Sequence, residues 1–416
     1  MDKMDILKEY FGYNSLKPEQ EEIIDNILNG KDVIGLLPTG YGKSLTYQIP
    51  ALLFDGLTIV ISPLISLMQD QVEELKEKFI RAEYINSLLD RYEIDSVYND
   101  IKRGRVKILY VSAERLLTKR FIEVIQEVEV SFIVCDEAHT LLWSEDFRFA
   151  LGRINEFIKL FNKRPKILAV TATATNNTIK KIKEMLELKN PYVVVGDADR
   201  KNIFYNMIVT KNKDKDLLKI FGGYNNKAII YCLTIKACFH VREVLKKVGI
   251  DGLVYHGKLT SKDKKRTLQE FKEKKVGVVI STMAFGLGIN ISNIRLVVLY
   301  DIPSSIEDFQ QETGRGSRDG EYAEAVMLFN LDDIKTCEYF ISNIEYNNRS
   351  VKEVNRIKKD RLKKLDSMVE LCFSRKCIHK KIANYFGISH PGNCNMCSSC
   401  FKGKRKKNLL YEKGLD

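Results

Sequence analysis

The stretch LLPTGYGKSLTYQIPALLF at residues 36–54 decides the fold, because it leads from an apolar strand through a glycine-bearing loop into a helix. Strand, loop and helix in this order are the context of a phosphate-binding P-loop. Gly40 and Gly42 leave the backbone free to turn its N–H groups toward a phosphate. Lys43 supplies a positive charge to the β- and γ-phosphates, and the hydroxyl of Ser44 can bind Mg²⁺. The loop therefore predicts an ATP site with bound magnesium.

An acidic motif farther along the chain supports this prediction. The loop departs from the strict pattern at Leu37, which occupies the first glycine position, so the motif depends on the TGxGKS core that begins at Thr39. DEAH at 136–139 follows the apolar run FIVC, 93 residues beyond the lysine. Asp136 is expected to hold Mg²⁺ through water, and Glu137 to orient and deprotonate the attacking water. The alternative, an acidic pair that caps a helix, leaves the paired P-loop unexplained.

A third segment, QETGRGSRDG at 311–320, supplies positive charge. Arg315 and Arg318 are three positions apart and are expected to share one face of a short helix. One or both can act as arginine fingers that a second domain delivers to the γ-phosphate. Gln311, at the start of the segment, is a further nucleotide-binding candidate. The alternative is that the arginines belong to a solvated helix end.

Two successive runs of strands and helices predict two tandem α/β domains with parallel sheets. Short β-branched runs alternate with helical stretches as far as ILAVT at 167–171, and the pattern starts again with AIIYC at 228–232. A polar stretch at 196–215 marks the junction. The expected divisions are a first domain at 1–198, a second at 199–335, a helical subdomain with clustered cysteines at 336–401 and a basic tail at 402–416.

The composition argues against a membrane-spanning or secreted protein. The chain has 416 residues, of which 44% are hydrophobic, and it contains no apolar run of the ~18 residues that a membrane span needs. Its first residues, MDKMDILKEYFGY, are charged and lack the apolar core of a signal peptide. We therefore expect a soluble cytoplasmic protein, associated with the nucleoid if it is bacterial.

The positive charge is concentrated at one end of the chain. Residues 345–416 contain 18 Lys and Arg against 7 Asp and Glu, a difference of +11 within a net charge of +12. Such asymmetry indicates a polyanionic partner, because each neutralised phosphate releases counterions and adds affinity. The run KGKRKK at 402–407 and the basic helix at 349–381 are candidates to hold duplex DNA. A solvated basic tail is the alternative.

Four cysteines have the spacing of metal ligands. Three of them form CxxCxxC, and the fourth lies seventeen residues upstream of it. Four thiolates at these spacings suit a tetrahedral, structural Zn²⁺. An iron–sulfur cluster and uncoordinated thiols are the alternatives. The predicted ligands are Cys377, Cys394, Cys397 and Cys400, with Cys372, His379 and His390 as possible substitutes for one of them.

The order of the motifs resembles that of superfamily-two helicases, and of the RecQ family in particular. The shared segments are LLPTGYGKS, SPLISLMQDQ, DEAH, TATAT, STMAFGLGIN and QETGRGSRDG, together with YFGYNSLKPEQEEII, SAERL, DIPSSIEDFQQETGR and NYFG. The resemblance covers nearly the whole chain. It implies two RecA-like domains with ATP in the cleft and single-stranded DNA across both, followed by a small helical zinc-binding subdomain. It also strengthens the choice of Zn²⁺ for the cysteines.

The segment before the P-loop resembles the adenine-reading motif of the family. By that resemblance Tyr13 stacks on the base, and Gln20 reads its edge. Lys17 stands where arginine is usual, and lysine cannot make the planar stack of arginine. Adenine selectivity is therefore expected to be weaker.

Two further segments take their roles from the resemblance. Thr171 and Thr173 of TATAT match an element that couples the ATP site to DNA. Without the resemblance, these residues indicate only the end of a strand. Gly286, Gly288 and Asn290 match a second-domain segment that closes on nucleotide and DNA.

RecQ proteins carry an aromatic-rich loop just after the DEAH motif, and TLLWSEDFRF at 140–149 occupies that place. Trp143, the only tryptophan, and Phe147 can stack on an unpaired base, while Arg148 binds a phosphate. A core tryptophan is the alternative. Glu145 stands where the family commonly has histidine, so altered coupling between DNA contact and hydrolysis is expected.

These observations predict an ATP- and Mg²⁺-dependent DNA helicase. The resemblance to the RecQ family implies that it moves 3′ to 5′ on single strands and acts in recombination or repair. The alternative is a DNA-binding translocase or remodelling protein that hydrolyses ATP without productive strand separation. An RNA helicase is disfavoured because the RecQ-like segments outnumber any RNA-type ones. The chain ends at Asp416, which leaves no room for the winged-helix and small helical domains of many RecQ proteins, so weaker unwinding is expected.

Overall fold

The chain forms two compact units, which divide after Asp197. The structure is a computed structural model. It describes residues 1–38, 40–63, 65–138, 153–172, 176–197, 199–285, 291–344 and 350–401.

The first unit is built on a seven-stranded parallel sheet. Its strands are β1 (Val33–Leu36), β2 (Leu57–Ile61), β3 (Ala82–Ile85), β4 (Ile108–Val111), β5 (Val130–Cys135), β6 (Lys166–Thr171) and β7 (Tyr192–Val195). They lie in the order β3-β4-β2-β5-β6-β1-β7. Alternate residues of the central strands enter separate cores on the two faces, as Ile133 and its neighbour Val134 do. Both faces are covered, as the near-continuous apolar runs of these strands predict.

Helices flank this sheet. They are α1 (Lys3–Phe11), α2 (Pro18–Leu28), α3 (Leu45–Leu53), α4 (Ile65–Glu77), α5 (Arg91–Lys102), α6 (Lys119–Gln126), α7 (153–159) and α8 (Asn176–Met185). Local sequence determines where several of them begin and end. Asp2 caps α1 by accepting from the backbone N–H groups of Met4 and Asp5, and Gly12 ends that helix in the left-handed conformation at φ 71°. Pro18 opens α2, at the position where its missing N–H costs least.

The second unit contains a six-stranded parallel sheet. Its strands are β8 (Ile203–Val209), β9 (Lys227–Tyr231), β10 (Leu253–Tyr255), β11 (Gly277–Ser281), β12 (Leu296–Leu299) and β13 (Ala323–Phe329). Their order is β10-β11-β9-β12-β13-β8. The two sheets confirm the predicted tandem α/β architecture.

The helices of the second unit continue into the cysteine-bearing region. They are α9 (Lys213–Phe221), α10 (Ile235–Lys246), α11 (Ser261–Glu273), α12 (Ile306–Thr313), α13 (Asp332–Ser342), α14 (Val351–Cys372) and α15 (Ile378–Tyr385). One hydrophobic core joins β8 and β13 to α12, α14, α15 and the cysteines. The helical subdomain is thus packed onto the second sheet, as part of the same compact unit.

The subdomain also completes the edge of that sheet. The backbone N–H of Tyr205 in β8 donates to Met396 O at 3.0 Å, and Ser398 N donates to Tyr205 O at 2.9 Å. These bonds satisfy backbone groups on an edge strand that would otherwise be open to pairing with another chain. Among the described residues, no helix combines the length and the apolar character that crossing a bilayer requires.

Candidate functional site

The P-loop connects β1 to α3 at the carboxyl end of a central strand. Gly40 and Gly42 both have φ of 80°, a conformation that side chains with a Cβ rarely adopt. A Cβ at position 42 would lie 2.6 Å from Nε2 of Gln20, so any other residue there would displace this side chain from the loop. The loop conformation therefore depends on the two glycines that the sequence pattern singles out.

The residues before the P-loop hold it in place. Gln20 is buried, and its Nε2 donates to Tyr41 O at 2.8 Å and to Gly42 O at 3.1 Å. Its Oε1 accepts from Lys17 N at 2.9 Å. Gln20 thus ties the start of α2 to the backbone of the P-loop, while its part in reading adenine stays a prediction.

Tyr41 is a component of the site that the sequence motifs did not identify. The Nζ of Lys17 lies 4.0 Å from the centroid of the Tyr41 ring, a cation–π contact. The Tyr41 hydroxyl donates to the Glu19 carboxylate, and burial together with this carboxylate raises the pKa of Tyr41. The available signals were the position of Tyr41 inside TGYGKS and of Glu19 next to Gln20. Tyr13, the predicted adenine-stacking residue, is exposed.

The acidic pair follows β5. Asp136 is buried and continues the ladder of the sheet, since its N–H donates to Ile61 O at 2.9 Å. The backbone N–H of Glu137 donates to the Asp136 carboxylate at 2.9 Å, and Glu137 has a left-handed φ of 47°. Such a conformation in a residue other than glycine is uncommon and is found at functional sites. It turns the chain sharply at the end of the strand.

Lys43 and Glu137 form an ion pair. The Nζ of Lys43 lies 2.6 Å from Oε1 of Glu137, and the two side chains are only 13% and 12% exposed. The P-loop lysine and the proposed base are therefore brought together across 94 positions of sequence. When a phosphate binds, Lys43 can exchange this carboxylate for the phosphate, which releases Glu137 to orient water.

The site fits a divalent cation. Burial and the negative charge of Glu137 together raise the pKa of Asp136 to about 6, because Lys43 only partly offsets them. The two carboxylates and one lysine leave net negative charge in a poorly solvated place, which a cation would compensate. Asp136 and the hydroxyl of Ser44, at the start of α3, would hold Mg²⁺ as oxygen ligands. Bound Mg²⁺ would neutralise charge on the β- and γ-phosphates.

The two arginines do not lie on a helix, and this prediction was wrong. The helix α12 ends at Thr313, and Arg315 and Arg318 lie in the following turns. Gly314 and Gly316 disfavour a helix in this segment. Ser317 has a left-handed φ of 47°, which an α-helix does not accommodate. Gln311 lies within α12, near its end.

Arg315 is buried, with an exposed fraction of 5%. Its Nε has no hydrogen-bond partner among the residues that the structure describes. A buried donor without a partner is costly, so the Arg315 guanidinium can donate a hydrogen bond to an anionic ligand.

The four predicted cysteine ligands converge. The Sγ atoms of Cys377, Cys394, Cys397 and Cys400 all lie within 4.8 Å of one another. The Sγ of Cys394 is 3.5 Å from that of Cys377 and 3.6 Å from that of Cys397. A tetrahedral Zn²⁺ with bonds of about 2.3 Å requires sulfurs roughly 3.8 Å apart. The cluster therefore has the dimensions of a zinc site.

The surroundings of the sulfurs also favour a metal. Backbone N–H groups of Ile378 and Met396 donate to the sulfurs of Cys397 and Cys394, at 3.4 and 3.3 Å. Burial opposes ionisation of Cys377, but backbone N–H donors outweigh it and lower the pKa of this thiol to about 7. A thiolate at this position is a ready first ligand for a cation.

The three possible substitute ligands are engaged elsewhere. The ring nitrogens of His379 contact the Asp199 carboxylate and Met396 O, the latter at 3.0 Å. His390 Nε2 lies 3.1 Å from the other oxygen of Asp199. Cys372 is buried in the core around the cysteine cluster. The structure thus favours the four-cysteine set.

Several predicted residues lie outside the described parts of the chain. Thr171 is described: it is buried at the end of β6, and its carbonyl accepts from Leu37 N at 3.0 Å. Those outside are Thr39, Trp143, Phe147, Arg148, Thr173, Gly286, Gly288, Asn290 and the tail at 402–416.

Three protein-family models match the chain in succession. They are DEAD/DEAH box helicase at residues 17–182, helicase conserved C-terminal domain at 212–320 and RecQ zinc-binding at 331–401. Together with the P-loop, the acidic pair and the two parallel sheets, they define a DEAD/DEAH-box helicase with two RecA-like domains and a zinc-binding subdomain.

Comparison of nearly the whole chain with known proteins identifies the family within this class. The ATP-dependent DNA helicase RecQ of Pasteurella multocida is 38% identical over 411 residues, which are 98% of this chain and 64% of the relative. The ATP-dependent DNA helicase RecQ of Bacillus subtilis is 36% identical over 410 residues, covering 98% and 68%. The chain belongs to the RecQ family. It spans about two thirds of the length of these relatives.

Solved structures agree on the fold. The protein Mss116p, bound to single-stranded RNA and AMP-PNP, superposes with a TM-score of 0.67 at 21% identity, over 93% of this chain and 88% of that one. At this identity the likeness supports the architecture of two RecA-like domains and nothing about the substrate.

Replacing Lys43 tests the ATP site. Lys43→Ala removes the charge for the phosphates and leaves Glu137 without this partner, so we expect ATP hydrolysis to fall by about a hundredfold or more. DNA binding should change little. The measurement is steady-state ATPase with DNA present, beside a DNA-binding titration. Lys31→Ala, an exposed lysine of the same unit, is the control. Turnover retained by Lys43→Ala would contradict the site.

Replacing Gln20 tests the support of the P-loop. Gln20→Ala removes two hydrogen bonds to the loop backbone, each contributing about 1 kcal/mol. We expect the KM for ATP to rise by roughly tenfold, with a smaller change in kcat. ATPase kinetics at saturating DNA measure both. Gln269→Ala, which replaces an exposed glutamine whose side chain donates to Glu273, should keep both constants. An unchanged KM would show that Gln20 does not hold the loop in its binding form.

Replacing a cysteine ligand tests the metal centre. Cys397→Ala should reduce the zinc content after dialysis against a chelator from roughly one ion per chain to near zero. Loss of the metal should lower the melting temperature by on the order of 5 °C or more, because the ligands share a core with the second sheet. Metal analysis and thermal unfolding measure both. Cys372→Ala, in the same core, should keep its zinc, and zinc retained by Cys397→Ala would exclude this ligand set.

Proposed function

We propose that the protein is an ATP-dependent DNA helicase that couples ATP hydrolysis to 3′–5′ translocation on single-stranded DNA and to duplex unwinding in recombination or repair. The observation that carries the proposal is the buried cluster of Lys43, Asp136 and Glu137, in a chain with the domain series of the RecQ family. The expected place of action is DNA in the cytoplasm, at the nucleoid if the organism is bacterial.

The roles in hydrolysis follow from charge. Lys43 binds the β- and γ-phosphates, and Glu137 orients the attacking water and takes its proton. Arg315 and Arg318 stabilise the negative charge that develops on the γ-phosphate. The buried Nε of Arg315, which has no hydrogen-bond partner among the described residues, supports this role, because donating to a phosphate oxygen would satisfy it.

DNA contacts are proposed at two places. Trp143 and Phe147 stack on unpaired bases, and Arg148 binds a phosphate, as the position of the aromatic loop in the family implies. The helix α14 supports a second contact, to duplex or forked DNA. Five basic side chains of this helix are exposed: Lys352, Arg356, Lys359, Arg361 and Lys363. Such a surface binds the DNA backbone without regard to sequence.

Two other functions remain as outcomes of the test. A translocase or remodelling protein would share the ATP site and the basic helix but would not release a strand. An RNA helicase would share the fold with Mss116p, whose solved structure holds single-stranded RNA. Stimulation of the ATPase by DNA and by RNA of the same sequence separates this last possibility from the proposal.

A fork-unwinding assay tests the proposal. With ATP and Mg²⁺, the wild-type protein should release the labelled strand of a fork or of a duplex with a 3′ overhang. A duplex with only a 5′ overhang should be a poor substrate. Trp143→Ala should lower release by about tenfold or more, because base stacking contributes roughly 1–3 kcal/mol.

The controls separate the outcomes. Lys43→Ala should release no strand, which shows that hydrolysis is required. ATPase stimulated by DNA, without release from any substrate, would establish the translocase and overturn the helicase. Stronger stimulation by RNA than by DNA would overturn the choice of DNA.

A further inference from the structure

The two arginines proposed to act on the phosphate lie in a tightly anchored loop. We call residues 314–320 the arginine loop. Ser317 is fully buried and left-handed, a conformation that persists only where the surroundings enforce it. Its N–H donates to Ile294 O at 2.8 Å, and Arg318 N donates to Ser292 O at 2.9 Å. The loop backbone is therefore held at defined points on the second unit.

Arg200 donates three hydrogen bonds to this backbone. Its Nη1 donates to Gly314 O at 2.9 Å, and its Nη2 donates to Gly316 O at 2.8 Å and to Ser317 O at 3.0 Å. These carbonyls lie on both sides of Arg315 and directly before Arg318. Hydrogen bonds from a charged guanidinium are strong, and its planar fork fixes the direction of each one.

Asn202 extends the same set of contacts. Its Nδ2 donates to Ser317 O and to Glu321 O, both at 2.9 Å. Its Oδ1 accepts from Nε of Arg200 at 3.3 Å, so the amide also orients the guanidinium. Two side chains of one short segment thus hold the left-handed residue between the two arginines.

The segment that carries Arg200 and Asn202 is itself held by the helical subdomain. Asp199 contacts His379 and His390, which belong to the helical subdomain, and the Asp199 side chain is 5% exposed. Tyr205 bonds the backbone of the cysteine segment at Met396 and Ser398. Residues 199–205 therefore cannot shift without breaking contacts at both ends, and Arg200 presents its guanidinium from a rigid support.

We propose that Arg200, assisted by Asn202, is a positioning residue for ATP hydrolysis: it fixes the arginine loop so that Arg315 and Arg318 present their charges at a constant place. The inference rests on the proposed role of those two arginines. A guanidinium misplaced by about 1 Å can cost two orders of magnitude in rate, so a residue that never contacts ATP can still control kcat.

Replacement of Arg200 gives a specific kinetic result. Arg200→Ala should lower the kcat of DNA-stimulated ATP hydrolysis by about tenfold to a hundredfold. The KM for ATP and the Kd for single-stranded DNA should change by less than about threefold. Arg200→Lys should fall between wild type and Arg200→Ala, because lysine keeps the charge but not the fork. Arg242→Ala, whose side chain bonds Asp251 in the same unit, is the control and should keep kcat.

A double-mutant cycle distinguishes positioning from general stability. In a background with both Arg315→Ala and Arg318→Ala, Arg200→Ala should change the single-turnover rate by less than about threefold, since nothing remains to be positioned. A loss of equal size in both backgrounds would overturn the inference, as would wild-type kcat in Arg200→Ala. If Arg200→Ala does not fold, the same comparison is made with Arg200→Lys, and thermal unfolding confirms the folded state of each variant.

Failure of the proposed role of Arg315 and Arg318 gives a different result from failure of the positioning role of Arg200. If the variant lacking both arginines hydrolyses ATP at the wild-type rate, the arginines have no role in hydrolysis, and the premise is lost. If that variant is slow and Arg200→Ala is not, only the positioning role of Arg200 fails.

Discussion

The ion pair of Lys43 and Glu137, with Asp136 beside it, is the constraint on which the rest of the first unit depends. Two carboxylates and one ammonium group occupy a poorly solvated place, and the raised pKa of Asp136 reflects its burial and the second carboxylate. A polypeptide tolerates such a cluster only where strands of a rigid sheet hold it and a ligand can compensate it. The parallel sheet supplies the first condition, and a metal-bound triphosphate would supply the second.

The strand order places a third strand, β6, beside this cluster. The P-loop follows β1 and the acidic pair follows β5, but these strands are not neighbours, because β6 lies between them. Thr171 at the end of β6 accepts from Leu37 N, and Ala138 N donates to Val170 O at 2.9 Å. The last two residues of β6, Val170 and Thr171, are therefore bonded to both halves of the candidate ATP site. That placement is a physical reason for an element here to sense the nucleotide.

Sequence reasoning recovered what depends on local pattern. The strands, the P-loop glycines and the four cysteines follow from periodicity, backbone conformation and ligand spacing, each of which is encoded within a few residues. Arg315 and Arg318 were wrongly expected on a helix. The guanidinium of Arg200, 114 residues away, donates to the carbonyl of Gly314 at the end of α12, and no local pattern encodes this contact. The contact of Gln20 with the P-loop was missed for the same reason, since no local pattern specifies which carbonyl a buried amide meets.

The structural metal site matters for the second unit beyond its own ligands. The cysteine segment pairs with Tyr205 in β8, and Asp199 binds two histidines of the subdomain, so the metal ligands and the support of the arginine loop share one stretch of backbone. Loss of the metal would free the ends of that stretch before it disturbed the parallel core, since the central strands are paired on both sides and the edge strand is not. The zinc-binding subdomain is, in this sense, part of the scaffold that holds the arginine loop.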